Sequence, residues 1–303
     1  GTTIVTSWCD EVGALPTRNF SAGSFEGAKT LYAPVMREQI VMTDKGCFGC
    51  PSPCGKYSRS KRHNIYVEGP EYETIGLLGS NVGVSDIEDV ARANLLCDDL
   101  GIDTISTGGV IAWAMECFEH GIITREDTNG IELKFGNAEA VLQLIEMIAR
   151  REGFGGLLAE GSYRAAKRIG KGSEDYLVAA NQQEFPAHMP RFKRSLGLIY
   201  AVNPFGADHV SSGHDGQYEM DEFNADGTKV APPPVAPQFA QIGLDSPAIR
   251  YSLSREKVEF AHLSQNLHGL MDSLCVCLLA SSSFGDFFLP EEITRIVQYV
   301  TGW

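Results

Sequence analysis

The sequence predicts an all-α, multihelical protein with few short strands. Three observations carry this expectation. Apolar residues recur at helical spacing in several stretches; most of these are bounded by capping residues and glycines; and alternating strand patterns are scarce. The 303 residues are 43% hydrophobic and 21% charged, a mixture that can bury a sizeable core. At roughly 150 residues per domain, the length suits two domains or one large one.

A first helix is expected near Ser24 to Gln39. In the next, Ser85 and Glu88 read as a capping box, Ile87, Val90, Ala91, Asn94, Leu95 and Asp98 follow at helical spacing, and Gly101 closes the segment. That inward stripe ends in polar Asn94 and acidic Asp98, which a plain core would avoid. Further helices are predicted over Ser106 to His120, from Asn137 to Gly153, and after Gly161-Ser162. Two more are expected over roughly Pro247 to His268 and Pro290 to Thr301. Leu196 to Val202 reads as a short strand. Residues 224 to 238 form a Pro-rich loop, and the polar, Gly-bearing stretch 122–136 marks a domain boundary.

Charge narrows the partners. With 25 Lys and Arg against 39 Asp and Glu, the formal charge is −14, which argues against nucleic acid and anionic lipid. No apolar run approaches the ~20 residues that span a bilayer. The N-terminal residues lack the basic and apolar regions of a secretion signal. Residues Lys56 to Arg62 are a local basic exception, read either as a solvated turn or as a docking point for an acidic electron-transfer protein.

Cysteine spacing carries the chemistry. Cys47, Cys50 and Cys54 fall in one C-x2-C-x3-C run, as needed to bring soft thiolates to a metal centre from a short loop. Gly49 and Gly55 allow unusual backbone angles there, and Pro51 and Pro53 stiffen the loop. A four-iron four-sulfur (4Fe-4S) cluster takes four such ligands. Cys275 and Cys277 are the candidates for the fourth, while Cys9, Cys97 and Cys117 sit in apolar segments and read as buried thiols. Structural zinc is the alternative, although zinc sites usually pair two C-x2-C hairpins.

The strings CFGCPSPCGKY, EGPEYETIGLLGSNVGV and NLLCDDLGIDTISTGGVIAWAME, followed by GSYRAAKRIG, FPAHMPR, GADH and MDSLCVC, resemble the aldehyde ferredoxin oxidoreductase family of tungsten-pterin enzymes. The resemblance runs along nearly the whole chain, and implies that family's two C-terminal helical domains, 1–130 with the cysteine loop and 131–303. The family's N-terminal, β-rich cofactor-binding domain has no counterpart, and relatives usually continue beyond the position of Trp303.

By the same resemblance, Cys47, Cys50, Cys54 and Cys277 ligate a 4Fe-4S cluster. Cys277 ends the family's D-x-x-G-L-C motif, and Cys275 stands where that motif has Gly. The paired motif is Asp98-Asp-Leu-Gly101-Ile-Asp103, so Asp98, Gly101, Asp103 and Asp272 are expected to contact the pterins of a tungsten (or molybdenum) cofactor. Carboxylates suit the N–H donors of a pterin edge, and glycine suits close approach. The plainer reading of Asp98 and Asp103 is a helix-end cap and a solvated turn. For proton handling, the family's Glu maps to Glu71 or Glu73 and its His to His209. His188 is a second candidate where relatives often show Tyr-Asp before Pro-Arg, and His214 is a weaker one. Arg191 suits either an anionic cofactor tail or an ion pair. His63, His120, His262 and His268 have no motif support. Some relatives carry an E-x-x-H pair for a mononuclear iron; Glu88 is followed by no such His, and none is expected.

The implied activity is oxidation of an aldehyde to a carboxylic acid, with electrons passing through the cluster to ferredoxin, in the cytoplasm. A homo-oligomer is compatible with this. The alternatives are tungsten-dependent reduction of an aromatic acyl-CoA, a non-catalytic iron-sulfur electron-transfer module, or a zinc-binding structural domain.

Overall fold

The computed structural model describes residues 1–50, 52–224, 227–281 and 288–303. Pro51 of the cysteine loop and two residues of the 224–238 loop lie outside them. The described residues are predominantly helical but include three small sheets, so the expected helical class holds in its coarser form. No helix among them is long and apolar enough to cross a membrane.

Two compact units divide the chain, Gly1–Met189 and Pro190–Trp303. The boundary expected near residue 130 falls inside the first unit, for a visible reason. The polar stretch 122–136 is tied into its surroundings: Gly136 N–H donates to Val82 O at 2.9 Å and Phe154 N–H to Asn129 Oδ1 at 3.0 Å. Thr128 is buried and donates to Ile131 O at 2.6 Å.

The first unit opens with α1 (Val5–Glu11) and α2 (Ala33–Gln39). The single helix expected over Ser24 to Gln39 is broken, because Tyr32 takes extended angles between a 3-10 turn and α2. An antiparallel sheet follows in the order β1 (Val41–Lys45), β2 (Gly55–Ser60), β3 (Ile65–Glu68). Sequence reading missed it because β2 inverts the usual alternation. Its Lys56, Ser58 and Ser60 are buried, whereas Tyr57 and Arg59 face outward. The inward hydroxyls are satisfied, Ser58 by Gly69 O and Ser60 by Glu88 Oε2, both at 2.5 Å.

Then come α3 (Tyr72–Leu78), α4 (Ile87–Leu100), α5 (Thr104–Glu119), α6 (Ala138–Arg150), α7 (Gly153–Leu158) and α8 (Ser162–Ile169). The expected Ser85–Glu88 capping box does not form. Asp86 caps α4 by accepting Glu88 N–H at 2.8 Å, and Glu88 instead accepts from Ser60 and from Arg62 N–H. At its other end Gly101 has φ +69°, the left-handed turn that lets Ile102 N–H reach Cys97 O at 3.0 Å. Helices α3 and α5 pack closely because α5 carries Gly108, where a Cβ would lie 2.6 Å from the Leu77 backbone. On α6, Val141, Leu144, Ile145 and Ile148 are buried, each such side chain contributing about 1.5–3 kcal/mol. A short ribbon of β4 (Ala179–Ala180) and β5 (Gln183–Glu184) ends the unit, with Glu184 Oε1 accepting Ser162 N–H at the start of α8.

The second unit contains α9 (Arg194–Val202), β6 (Glu219–Met220), α10 (Pro237–Ala240), β7 (Ala248–Ile249), α11 (Arg255–Ser273), α12 (Leu278–Ser281) and α13 (Pro290–Thr301). The stretch expected as a strand, Leu196 to Val202, is helical, with Ser195, Leu196, Ile199 and Tyr200 buried along one face. A distant carboxylate starts that helix: Asp215 accepts Ser195 N–H at 2.9 Å and Leu196 N–H at 3.1 Å. Part of the predicted 247–268 helix is instead β7, which pairs in parallel with β6. Tyr218, Phe239, Leu244, Ala248 and Phe260 form an apolar cluster, with Tyr218 and Phe260 stacked at 4.8 Å.

Candidate functional site

The cysteine loop joins β1 to β2. Cys47 and Cys50 are exposed free thiols, and Cys54 is a half-buried one. Cys50 N–H closes a turn on Cys47 O at 3.0 Å, with Gly49 at φ +71°. Three thiols on one short, accessible loop suit thiolate ligation of a cluster. Other cysteines are excluded by burial: it pushes the thiols of Cys97 and Cys117 up to about 12, helped by Asp98 and Asp103 at the first and by Glu116 at the second. Such thiols stay protonated, and a thiolate is the metal-binding form. Cys9 is buried too, with its sulfur 3.2 Å from the Tyr72 hydroxyl oxygen.

The basic run beside the loop is strand as far as Ser60 and exposed turn at Lys61 and Arg62. Lys56 is buried, donates to Cys54 O at 3.0 Å and pairs with Asp44 at 3.2 Å. Arg62 is held by Asp86 at 2.7 Å and by Asp89. Arg59 and Lys61 remain exposed on this surface.

In the second unit, α11 ends beside Asp272, which is exposed. Cys275 N–H donates to Asp272 O at 3.1 Å and Val276 N–H to Met271 O at 2.9 Å. This turn puts Cys275 at φ +54°, a left-handed conformation that favours glycine. The residue at the motif's glycine position therefore carries backbone strain. Cys277 is exposed just before α12.

Helix α3 supplies the best-defined polar pair. Glu73 lies in its first turn, and its Oε2 accepts Ala187 N–H at 2.7 Å. Its Oε1 is 3.0 Å from Nε2 of His188, which is only 4% exposed. The preceding Tyr72 donates to Ala187 O at 2.6 Å, with its ring 5.3 Å from the His188 ring. Two consecutive residues of α3 thus bind both backbone polar groups of Ala187 and set the imidazole against the carboxylate. Tyr72 was not singled out in the sequence, although it stands inside the GPEYET string.

Glu71, the other carboxylate of that string, accepts the Thr2 hydroxyl, and Thr2 in turn takes Tyr72 N–H at 3.1 Å. It lines a cleft of about 420 Å³ with Glu68, Gly69, Thr74, Asn94 and Asp98. Asp98 does not lie on the inward stripe: it is exposed, and buried Asn94 donates to it at 2.7 Å. Desolvation raises its pKa, assisted by Asp99 and Glu68 and opposed by Asn94. A cleft with three carboxylates and an amide fits a ligand edge rich in N–H donors. Asp103 stands apart from this wall as the N-cap of α5, accepting Ser106 N–H at 2.6 Å. Gly101 has open space around its Cβ position.

In the second unit, His209 O accepts His214 Nε2 at 2.7 Å, and the two rings lie 6.0 Å apart. Three of the remaining histidines have structural partners: His63 pairs with Asp89 at 2.8 Å, His120 stacks on Tyr176 at 4.5 Å, and His268 Nδ1 lies 2.8 Å from Val210 O.

Comparison with known proteins places this geometry. A family model described as aldehyde ferredoxin oxidoreductase, domains 2 and 3, matches residues 1–303. The tungsten-containing aldehyde ferredoxin oxidoreductase of Pyrococcus abyssi is 36% identical over 306 residues, covering 100% of this chain and 46% of its own length. That of Pyrococcus horikoshii is 33% identical over 306 residues, with the same coverage. The chain therefore spans about half the length of the curated relatives it matches. Among solved structures, the active site complex BamBC of benzoyl coenzyme A reductase, in complex with 1,5 dienoyl-CoA, aligns with a TM-score of 0.66 at 19% identity. That alignment covers 91% of this chain and 43% of the other, and it speaks for the fold. The chain belongs to the aldehyde ferredoxin oxidoreductase family, of which it carries the region of domains 2 and 3.

Proposed function

We propose that this chain is the helical part of an oxidoreductase that converts an aldehyde to its carboxylic acid at a tungsten bis-pterin centre, passing electrons through a 4Fe-4S cluster to ferredoxin. The observation that carries the reading is the Glu73–His188 pair, a half-buried carboxylate 3.0 Å from a buried imidazole on a rigid frame. The names of the relatives, tungsten-containing aldehyde ferredoxin oxidoreductases, support tungsten over molybdenum and ferredoxin as the acceptor.

The residues present fit these groups. Cys47, Cys50, Cys54 and Cys277 would hold the cluster as thiolates, and Asp98, Asp272, Asp103 and Gly101 would meet the pterin edges. When bound, the metal centre would supply a two-electron acceptor and the cluster a one-electron relay. Proton handling belongs to the chain. Oxidising a hydrated aldehyde to the acid releases two protons with the two electrons. Glu73 takes one as general base, held by Ala187 N–H on Oε2 and with the His188 imidazole 3.0 Å from Oε1. His209 takes the other.

His188 favours a second reading, reduction of an aromatic acyl thioester, since an imidazole delivers protons near neutrality more readily than the tyrosine often found there in relatives. Purified full-length protein assayed with aldehydes plus ferredoxin, and with aromatic acyl-CoA plus a low-potential reductant, separates the two. Aldehyde-dependent ferredoxin reduction is the expected result. Acyl-CoA reduction alone transfers the assignment to the second reading, and inactivity with both refutes both.

A further inference from the structure

The segment Asp208 to Ser211, which carries His209, contains no helix or strand. Its conformation depends on side chains reaching it from elsewhere in the second unit. Two of these are histidines, and they bind consecutive carbonyls. His214 Nε2 lies 2.7 Å from His209 O, and His268 Nδ1, on α11, lies 2.8 Å from Val210 O. A carbonyl only accepts, so each of these ring nitrogens carries the hydrogen.

The opposite side of His214 gives the same tautomer. Its Nδ1 is 3.2 Å from the Nζ of buried Lys193, and an ammonium only donates. With an ammonium donating there, Nδ1 is the acceptor, and a second proton on it would face the lysine charge. Burial lowers the pKa of His268 against the raising effects of the Val210 carbonyl, Asp272 and Asp208, so it is neutral near pH 7. Within the loop, Asp208 Oδ1 accepts Val210 N–H at 3.0 Å, and Asn203 donates to Ser211 Oγ at 3.0 Å.

We propose that His214 and His268 are positioning residues that fix two successive peptide planes, and with them the direction in which the His209 side chain leaves the backbone. The proposal deepens the reading of His209 as an active-site histidine and rests on it. Misplacing a reacting group by about 1 Å can cost about a hundredfold in rate, so a braced backbone matters here even though neither ring touches substrate.

The test uses full-length protein with His214→Leu and His268→Leu combined, against His214→Gln combined with His268→Asn. Glutamine places its amide N–H near the Nε2 position and asparagine near Nδ1, so the second pair keeps both donors. The leucine pair is expected to raise amide exchange across 206–212 at least about tenfold and to lower kcat about a hundredfold with KM little changed. The amide pair should recover most of both. Unchanged exchange across 206–212 in the leucine pair overturns the bracing. If the leucine pair does not fold, loss of kcat and faster exchange in the folded amide pair overturn it equally. His209→Ala with wild-type kcat would instead refute the active-site reading of His209, a separate failure.

Discussion

Replacing Lys257 by Met would strip the ammonium from a buried ionic cluster. Lys257 Nζ is 2.9 Å from Asp215 Oδ1 and also contacts Glu219 Oε1, with the three side chains 5%, 0% and 1% exposed. Arg250, 3.8 Å from Glu219 Oε2, would stay on the far side. Methionine keeps most of the stem's packing, so the change isolates the charge. Removing one partner of a buried ion pair costs about 3–5 kcal/mol. The loss should depend on pH. Burial already raises the pKa of Glu219, and the Asp215 charge adds to this. For Asp215 burial works in the same direction, but Lys257 and the Ser195 amide outweigh it and hold the pKa low. Without Lys257, Glu219 rises further. A group whose pKa is raised on folding contributes stability below its unfolded value, about 4.3, and loses it as pH rises through the folded value. The variant should therefore recover stability on acidification, by about 1.4 kcal/mol per added pKa unit. Denaturant unfolding of full-length protein at pH 8 and pH 5 measures this. A loss below about 1 kcal/mol at pH 8, or an equal loss at both pH values, would refute the reasoning.

Cys275→Gly should stabilise the protein by about 1 kcal/mol by relieving the left-handed φ of +54°, read as a raised unfolding midpoint; a lowered midpoint contradicts the strain argument. Asp103→Ala should cost about 0.5–2 kcal/mol through loss of the α5 cap, and tungsten content separates the two roles given to this residue, since a purely capping aspartate leaves it unchanged. Glu73→Gln should lower kcat by about 10²–10⁴ with KM little altered, whereas a kcat within a few-fold of wild type removes Glu73 as the base. Cys277→Ser should reduce cluster content and shift its reduction potential; unchanged values rule out Cys277 as a ligand.

Much of the helical architecture was legible, because α4, α6, α8 and α13 announce themselves by apolar periodicity and by the glycines, asparagine and proline that bound them. What could not be read depends on distant partners. Helix α9 looks like a strand because the carboxylate that starts it, Asp215, lies 20 residues downstream of Ser195. Strand β2 hides because its inward residues are Lys56, Ser58 and Ser60, satisfied by contacts across the fold rather than by apolar packing. At the candidate site, spacing and family strings pointed to the cysteine loop, to Glu71 or Glu73, and to His188. They could not reveal that Ala187 and Tyr72 hold that pair together, since those contacts span more than a hundred residues of chain. Asp103 illustrates the converse, a motif residue whose visible work is an ordinary helix cap.

The redox account is tested most directly by metal analysis of the full-length protein purified without oxygen. It predicts tungsten together with about four irons per chain and the broad visible absorption of an iron-sulfur cluster. Zinc in place of iron, or iron with neither tungsten nor molybdenum, would contradict it.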